Sequence, residues 1–142
     1  MQETLIVVGA VVIRDGRVLA AQRAEPEADR GRWEFPGGKT EPGESPGDAL
    51  VRECREELGV TVEVRERIRS DLPLPRPDRR TGLPAVLRLY RVELLEGVPR
   101  PLEHLALEWV DIAGLERLDW LPADRPFLGP IAHILQVGEQ TA

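Results

Sequence analysis

The stretch of sequence that decides the fold covers residues 38–60 and reads GKTEPGESPGDALVRECREELGV. Its centre predicts a helix, because Ser45 can cap the first turn and Pro46 suits the first helical position. Leu58 is expected to be the last residue of this helix, since Gly59 can adopt the left-handed conformation that follows many helices. Local chemistry therefore sets both ends of the element.

The predicted helix has an apolar face and an adjoining acidic face at about 100° per residue. The apolar face holds Leu50, Val51, Cys54 and Leu58, and the acidic face holds Glu53, Glu56 and Glu57. Glu57 lies closest to the apolar face, so its carboxylate is expected at the edge of the core. Like charges at this spacing repel, and a divalent cation would remove that penalty, with a carbonyl from the glycine-rich loop over 36–43 as a further ligand. A solvated acidic face is the alternative interpretation.

Strand and helix patterns interleave along the rest of the chain. Strands are predicted over 5–13, 17–22, 60–68, 85–95 and 108–110, and a terminal helix over 126–136. The segments 24–32 and 71–84 are predicted loops, and the second holds four prolines and is expected not to pair in a sheet. The pattern favours an α/β (α+β) class with a mixed β-sheet.

Composition restricts the class of protein further. A chain of 142 residues with 42% hydrophobic residues predicts a single domain over 1–142. The net charge of −6 argues against a nucleic-acid partner, although a bound cation lets an acidic site hold polyphosphate. The absence of a long apolar run predicts a cytoplasmic protein with no membrane partner. Cys54 is the only cysteine, so metal ligands must be mainly oxygens or the two histidines, His104 and His133.

The spacing of defined residues between 38 and 60 resembles the Nudix box. Gly38 is followed after five residues by Glu44, and after seven more by RECREELGV at 52–60. Nine defined positions at fixed spacing form a specific motif. The resemblance implies a Nudix fold, in which a mixed β-sheet is sandwiched between helices, and hydrolysis of a phosphoanhydride bond.

The resemblance also implies roles for residues of the box. The implied ligands of Mg²⁺, for which Mn²⁺ can substitute, are the carboxylates of Glu53, Glu56 and Glu57 and the carbonyl of Gly38. Arg52 would orient Glu53, and Glu44 would brace the loop against the helix. These three are the catalytic candidates of the box. A metal-activated water would attack phosphorus while a glutamate removes its proton.

Four further stretches are similar to the MutT branch of this family. They are Ala21–Arg23, Trp33–Lys39, Glu108–Val110 and Pro122–Pro126. The similarity implies conversion of a nucleoside triphosphate to the monophosphate and pyrophosphate, in sanitation of the nucleotide pool. It places Arg23, Phe35 and Lys39 at the substrate and makes Glu103 an extra carboxylate for metal binding or proton transfer. A solvated Arg23 and an ordinary loop carboxylate at Glu103 are the alternatives.

Asp124 differs from the residue implied by the resemblance to MutT enzymes that remove 8-oxoguanine nucleotides. At the matching position those enzymes have an asparagine. An ionised aspartate only accepts hydrogen bonds, which favours the exocyclic amine of cytosine. An aspartate here also resembles the CTP and 5-methyl-dCTP pyrophosphohydrolases of the branch. An 8-oxopurine carries an N7–H donor, so oxidised dGTP stays a candidate. The alternative is an aspartate that only caps a helix beginning near Pro126.

Other interpretations remain beside the MutT assignment. Pro75 lies at a spacing known from ADP-ribose hydrolases, so ADP-ribose or another nucleoside-diphosphate derivative is an alternative substrate. A non-catalytic Nudix-like module that only binds a nucleotide is another, although the intact glutamate set weighs against it. Ordinary surface roles are expected for His104 and His133. The arginines of the strand edge and the following loop, at 65, 67, 69, 76, 79 and 80, are expected to be solvated. A monomer and a homodimer are equally compatible with the sequence.

Overall fold

A computed structural model describes residues 4–141, with side chains through residue 138. Its strands are β1 (Leu5–Arg14), β2 (Arg17–Gln22), β3 (Trp33–Glu34), β4 (Gly37–Lys39), β5 (Thr61–Arg67), β6 (Leu72–Pro73), β7 (Ala85–Glu96) and β8 (Ala106–Val110). Its helices are α1 (Pro46–Leu58), α2 (Ile112–Arg117) and α3 (Leu128–Thr141), with short 3₁₀ turns at Glu27–Asp29 and Arg125–Phe127. The five predicted strands agree with β1, β2, β5, β7 and β8 to within two residues.

The strands form one mixed sheet around β1. The path through the sheet is β3-β2-β1-β7-β5, and β4, β6 and β8 pair with β1, β7 and β2 respectively. β1 and β7 run parallel, from the pair Leu5–Ala85 to the pair Val12–Val92. The other pairings between the named strands of the described chain are antiparallel. The predicted mixed sheet is confirmed.

Helices cover both faces of this sheet, because alternate residues of β1 point to opposite sides. Val8, Ala10 and Val12 pack against α1 in one core cluster, where Cys54 is fully buried. Val11 points to the other face and packs in a second cluster with residues of α2 and α3. The α/β class, with the sheet between helices, is therefore confirmed.

Helix α1 begins and ends where the sequence predicts. The Ser45 hydroxyl accepts a 3.1 Å hydrogen bond from the backbone N–H of Asp48. Gly59 has φ 72° and its N–H donates to the carbonyl of Arg55. Leu58 is the last helical residue, so the acidic and apolar faces have the predicted register.

Two segments that the sequence assigns to loops pair in the sheet. Residues Gly37–Lys39 form β4 instead of lying in a glycine-rich loop, and Gly38 is opposite Val8. A Cβ on Gly37 would overlap the Val8 carbonyl oxygen, so glycine permits this close pairing. The expectation that 71–84 cannot pair is also wrong. Pro73 lies on the edge strand β6, opposite Val86, where a missing N–H is tolerated.

The C-terminal part contains one helix that the sequence reasoning missed. Asp111 caps α2 by accepting a 2.9 Å hydrogen bond from the Gly114 N–H. The predicted terminal helix over 126–136 is observed as α3, preceded by the 3₁₀ turn at Arg125–Phe127. Within residues 4–141, no helix is long and apolar enough to cross a membrane.

Candidate active site

Glu57 joins helix α1 to strand β4. Its Oε1 accepts a 2.9 Å hydrogen bond from the backbone N–H of Gly37. Its side chain lies at the core edge, as the helical register predicts, and the residue is only 8% exposed. Burial, reinforced by the negative charge of Glu53, raises the pKa of Glu57 to about 9 against the opposing effect of the Gly37 hydrogen bond. A cation bound here would offset this cost of ionising the carboxyl group.

Glu53 lies against the backbone of Gly38. A Cβ at position 38 would overlap the Glu53 carboxylate, so this close approach requires glycine. Burial raises the pKa of Glu53, the Arg52 guanidinium opposes that rise, and the charges of Glu56 and Glu103 add to it. Several carboxylates therefore share one region of negative potential.

Arg52 connects the acidic helix to the segment before it. Its Nε and Nη2 donate to the two carboxylate oxygens of Glu44, at 2.8 and 3.0 Å. Its Nη1 donates to Glu53 at 2.7 Å, and its Nη2 also reaches the Lys39 carbonyl at 3.1 Å. Glu44 in turn accepts a hydrogen bond from the N–H of Glu41. The contacts are those expected if Arg52 orients Glu53 and Glu44 braces the loop.

The carboxylates offer the oxygen ligands that hard divalent cations prefer, but they are not assembled around one point. Among the described residues, no three acidic, histidine or cysteine side chains form a ready metal cluster. The Glu56 side chain is 51% exposed and contacts Arg52 at 3.3 Å. Glu57 is buried and Glu53 is partly buried, and Glu103 contributes to the unfavourable potential at both of them. The donor chemistry and the mutual repulsion fit a divalent cation.

Two neighbouring cavities open beside these glutamates. The acidic cavity is lined by Glu53 and Glu57 and by the cations Arg23, Lys39, Arg52 and Arg80. The His104 cavity is lined by Arg23, Glu34, Glu57, Glu103 and His104. Arg23 and Glu57 line both cavities, which therefore form one extended site. The predicted residues Arg23, Lys39 and Glu103 all border it.

His104 and Glu34 belong to this site although the sequence reasoning did not assign them to it. The His104 side chain is 6% exposed, and its Nε2 lies 2.9 Å from Glu34 Oε2. The other Glu34 oxygen accepts a 2.8 Å hydrogen bond from Arg23 Nη1. The surface role expected for His104 is therefore wrong, whereas His133 is exposed on α3. The sequence signal that could have identified His104 was its position directly after Glu103.

Asp124 is buried, and the charges of Glu34 and Arg23 act on it. It is 4% exposed, and it lies before the 3₁₀ turn without making a side-chain capping hydrogen bond. The helix-capping interpretation is therefore wrong. Burial first, and then the charge of Glu34, raise the pKa of Asp124 well above its usual range, while the Phe35 backbone N–H and Arg23 oppose the rise. This environment favours the neutral acid, contrary to the expectation of an ionised acceptor.

The side chains of Phe35 and Lys39, both predicted to contact the substrate, make contacts within the protein. The Phe35 ring is 4% exposed and stacks on Trp120, with ring centroids 4.7 Å apart. Its side chain thus belongs to the core behind Asp124. The Lys39 ammonium lies 2.5 Å from the Asp78 carboxylate, so its charge is already paired. Contact of either residue with a substrate stays a prediction.

The motif and the surrounding fold agree with one family of proteins. Residues 3–129 match the NUDIX domain, and the chain belongs to the Nudix family. Members of this family generally use divalent metal ions and act on small nucleotide substrates. The resemblance drawn from residues 38–60 is confirmed, as is the Nudix fold.

Its relatives place the chain among the MutT-like hydrolases of that family. It is 44% identical over 133 residues to "Putative 8-oxo-dGTP diphosphatase 2" of Mycobacterium tuberculosis, covering 92% of this chain and 89% of the relative. It is 39% identical over 122 residues to "CTP pyrophosphohydrolase" of Escherichia coli, covering 86% and 87%. The solution structure of the E. coli ORF135 protein superposes with a TM-score of 0.73 at 34% identity, covering 94% and 91%.

Proposed function

We propose that this chain is a Mg²⁺-dependent pyrophosphohydrolase that converts a nucleoside triphosphate to the monophosphate and pyrophosphate. The observation that carries the proposal is the acidic cavity, where Glu53 and Glu57 lie among four cationic side chains. Carboxylates suit the metal, and guanidinium and ammonium groups suit the phosphates. The names of the relatives support the same class of reaction.

The residues of the two cavities have different roles in the proposed reaction. Glu53 and Glu57, with Glu56 and the Gly38 carbonyl, would hold Mg²⁺, which supplies charge neutralisation and lowers the pKa of a bound water. Arg23 holds a phosphate at the junction of the two cavities. Glu53, fixed by Arg52, or Glu103 on the opposite loop accepts the proton of the attacking water.

Asp124 is proposed to bind the base as a neutral acid that donates one hydrogen bond and accepts another. Cytosine presents an acceptor at N3 beside the N4 amine, and 8-oxoguanine presents an acceptor at O6 beside N7–H. Both edges match a neutral carboxyl group, and the relatives are named for both bases. We propose a cytosine triphosphate as the preferred substrate and 8-oxo-dGTP as the second candidate, with the reaction taking place in the cytoplasm.

A nucleotide panel with Mg²⁺ tests this function. The panel contains CTP, dCTP, 5-methyl-dCTP, 8-oxo-dGTP, dGTP and ADP-ribose, with kcat/KM measured and products separated by ion-exchange chromatography. Monophosphate and pyrophosphate from a triphosphate are the expected products. A nucleoside diphosphate with orthophosphate, or ADP-ribose as the best substrate, would contradict the proposal while leaving the family intact.

A further inference from the structure

Residues 78–83 form a tight turn around a buried carboxylate. The Asp78 side chain is 2% exposed. One of its oxygens accepts hydrogen bonds from the backbone N–H and the hydroxyl of Thr81, at 2.8 and 2.7 Å. The backbone closes the turn through the N–H of Gly82 to the Asp78 carbonyl and the N–H of Asp78 to the Leu83 carbonyl. The conformation of the turn is therefore specified from within.

Lys39 attaches this turn to the active site. Its Nζ lies 2.5 Å from the second oxygen of Asp78. The hydrogen bond from Lys39, followed by those from Thr81, holds the pKa of Asp78 well below its usual range, so the carboxylate stays ionised. Lys39 ends β4, the strand whose Gly38 contacts Glu53. The position of the turn is thereby tied to the acidic helix.

Arg80 projects from this turn into the acidic cavity. Of the four cations that line the cavity, Arg23, Lys39 and Arg52 each form an ion pair with a carboxylate. Arg80 forms no ion pair or hydrogen bond with any residue in the described part of the chain. It is thus the one lining cation there whose charge is left for a ligand.

The arrangement of the two cavities indicates which part of a ligand Arg80 meets. Glu34 lines the His104 cavity, and its charge acts on the buried Asp124, the residue proposed to bind the base. Glu57 and Arg23 form the junction, and Arg80 lines the acidic cavity but not the His104 cavity. A triphosphate whose first phosphate lies at the junction therefore extends its distal phosphates toward Arg80.

We propose that Arg80 binds the distal phosphates of the substrate, and hence the pyrophosphate product, and that Lys39 acts through Asp78 as a positioning residue for Arg80. The inference rests on the proposed triphosphate reaction and assigns its leaving-group end. A planar guanidinium can donate two hydrogen bonds to a phosphate, which suits this role.

Arg80→Gln tests the contact, and Arg79→Gln is the matched control. Arg79 is the exposed neighbour in the same turn and does not line the cavity. Loss of a hydrogen bond between charged groups weakens binding by roughly tenfold to a hundredfold. We expect Arg80→Gln to raise the KM for the triphosphate and the inhibition constant for pyrophosphate, each by about that factor. Inhibition by the nucleoside monophosphate, which lacks distal phosphates, should be unchanged, and Arg79→Gln should resemble the wild type throughout.

Asp78→Asn tests the positioning role. We expect it to raise the KM for the triphosphate. The double variant with Arg80→Gln should show little further increase, because both substitutions remove the same contact between Arg80 and the phosphates. Lys39→Gln provides the same comparison if the Asp78 variant melts below the assay temperature. Additive effects of the two substitutions would overturn the positioning role.

Calorimetric titration of pyrophosphate into the Mg²⁺-loaded protein provides a readout that needs no turnover. If the wild type binds pyrophosphate through Arg80 but cleaves no triphosphate, the proposed function fails, and with it the leaving-group assignment, while the pyrophosphate contact of Arg80 stands. If pyrophosphate affinity is the same within twofold in the wild type and in Arg80→Gln, or if the wild type does not bind pyrophosphate, the inference is overturned.

Discussion

The backbone N–H of Gly37 donates a 2.9 Å hydrogen bond to Oε1 of Glu57, and this contact joins the glycine strand to the acidic helix. The adjacent glycine, Gly38, lies against the Glu53 carboxylate. Two consecutive glycines thus set the positions of Glu53 and Glu57. Because their surroundings differ, alanine at the two positions should have different effects.

Gly38→Ala should abolish most of the activity while preserving the fold. Its Cβ would meet the carboxylate of Glu53, a side-chain end that can move aside. We expect kcat to fall at least about a hundredfold, the magnitude of losing a catalytic base or metal ligand, with the melting temperature within a few degrees of the wild type. Gly37→Ala is the contrasting variant, because its Cβ would meet the Val8 backbone and should lower the melting temperature. Normal turnover in Gly38→Ala would exclude this account of the Glu53 position.

Glu53→Gln and Glu57→Gln preserve side-chain size and remove the charge. We expect each to lose at least about a hundredfold in kcat with Mg²⁺ present, as for a missing metal ligand or general base. Circular dichroism should show an intact fold. Glu63→Gln, an exposed change on β5, is the control. Near-normal kcat in both site variants would contradict the assigned metal site.

Metal removal should lower the stability as well as the activity. A cation that binds the folded state and relieves the repulsion between Glu53 and Glu57 raises the melting temperature, and above its Kd the increase grows with the logarithm of the free cation concentration. We expect excess EDTA to abolish turnover and added Mg²⁺ to raise the melting temperature of the wild type. Glu57→Gln should show a smaller Mg²⁺-induced increase. Turnover that survives EDTA would rule out the metal-dependent mechanism.

Asp124 should make the free energy of unfolding depend on pH. Its pKa in the folded protein lies well above the value of about 3.9 for an unfolded chain. Its stabilising contribution is therefore complete below about pH 4 and is lost as the pH rises toward the folded-state pKa, because the unfolded chain releases its proton first. Asp124→Asn cannot ionise, so its melting temperature in EDTA should fall less than that of the wild type between about pH 5 and about pH 8. Glu57 acts in the same direction but is present in both proteins, and parallel curves would contradict the shift.

The proposed neutral state of Asp124 also leads to a prediction about base recognition. An asparagine donates and accepts much as a neutral carboxyl group does, so Asp124→Asn should retain kcat/KM for the preferred base within about threefold. Asp124→Ala should lose roughly tenfold to a hundredfold. If Asp124→Asn instead shifts the preference from cytosine to 8-oxoguanine by tenfold or more, the carboxyl group binds the base as an anion.

Local sequence signals predicted the ends and faces of helix α1 reliably, but they did not predict the contacts that other segments make around it. Ser45, Pro46 and Gly59 act on their own helix, so its ends and the burial of Glu57 follow from neighbouring residues. The Lys39–Asp78 pair joins positions 39 residues apart, and the Glu34–His104 contact joins positions 70 apart. Such pairs depend on how the strands are ordered in the sheet. The pattern of a single sequence does not specify that order.

The parallel pairing of β1 with β7 has a consequence for the order in which the chain assembles. Leu5 is opposite Ala85, so 80 residues, 85 minus 5, separate the first pair of partners. At roughly 5–20 residues per second, a ribosome needs about 4–16 s to supply the partner strand. During that interval an apolar strand of the nascent chain is without its main neighbour, and chaperones that bind extended apolar segments have time to act on it. Closing so long a loop also places refolding of the isolated chain in the slower range of small domains, from milliseconds to seconds.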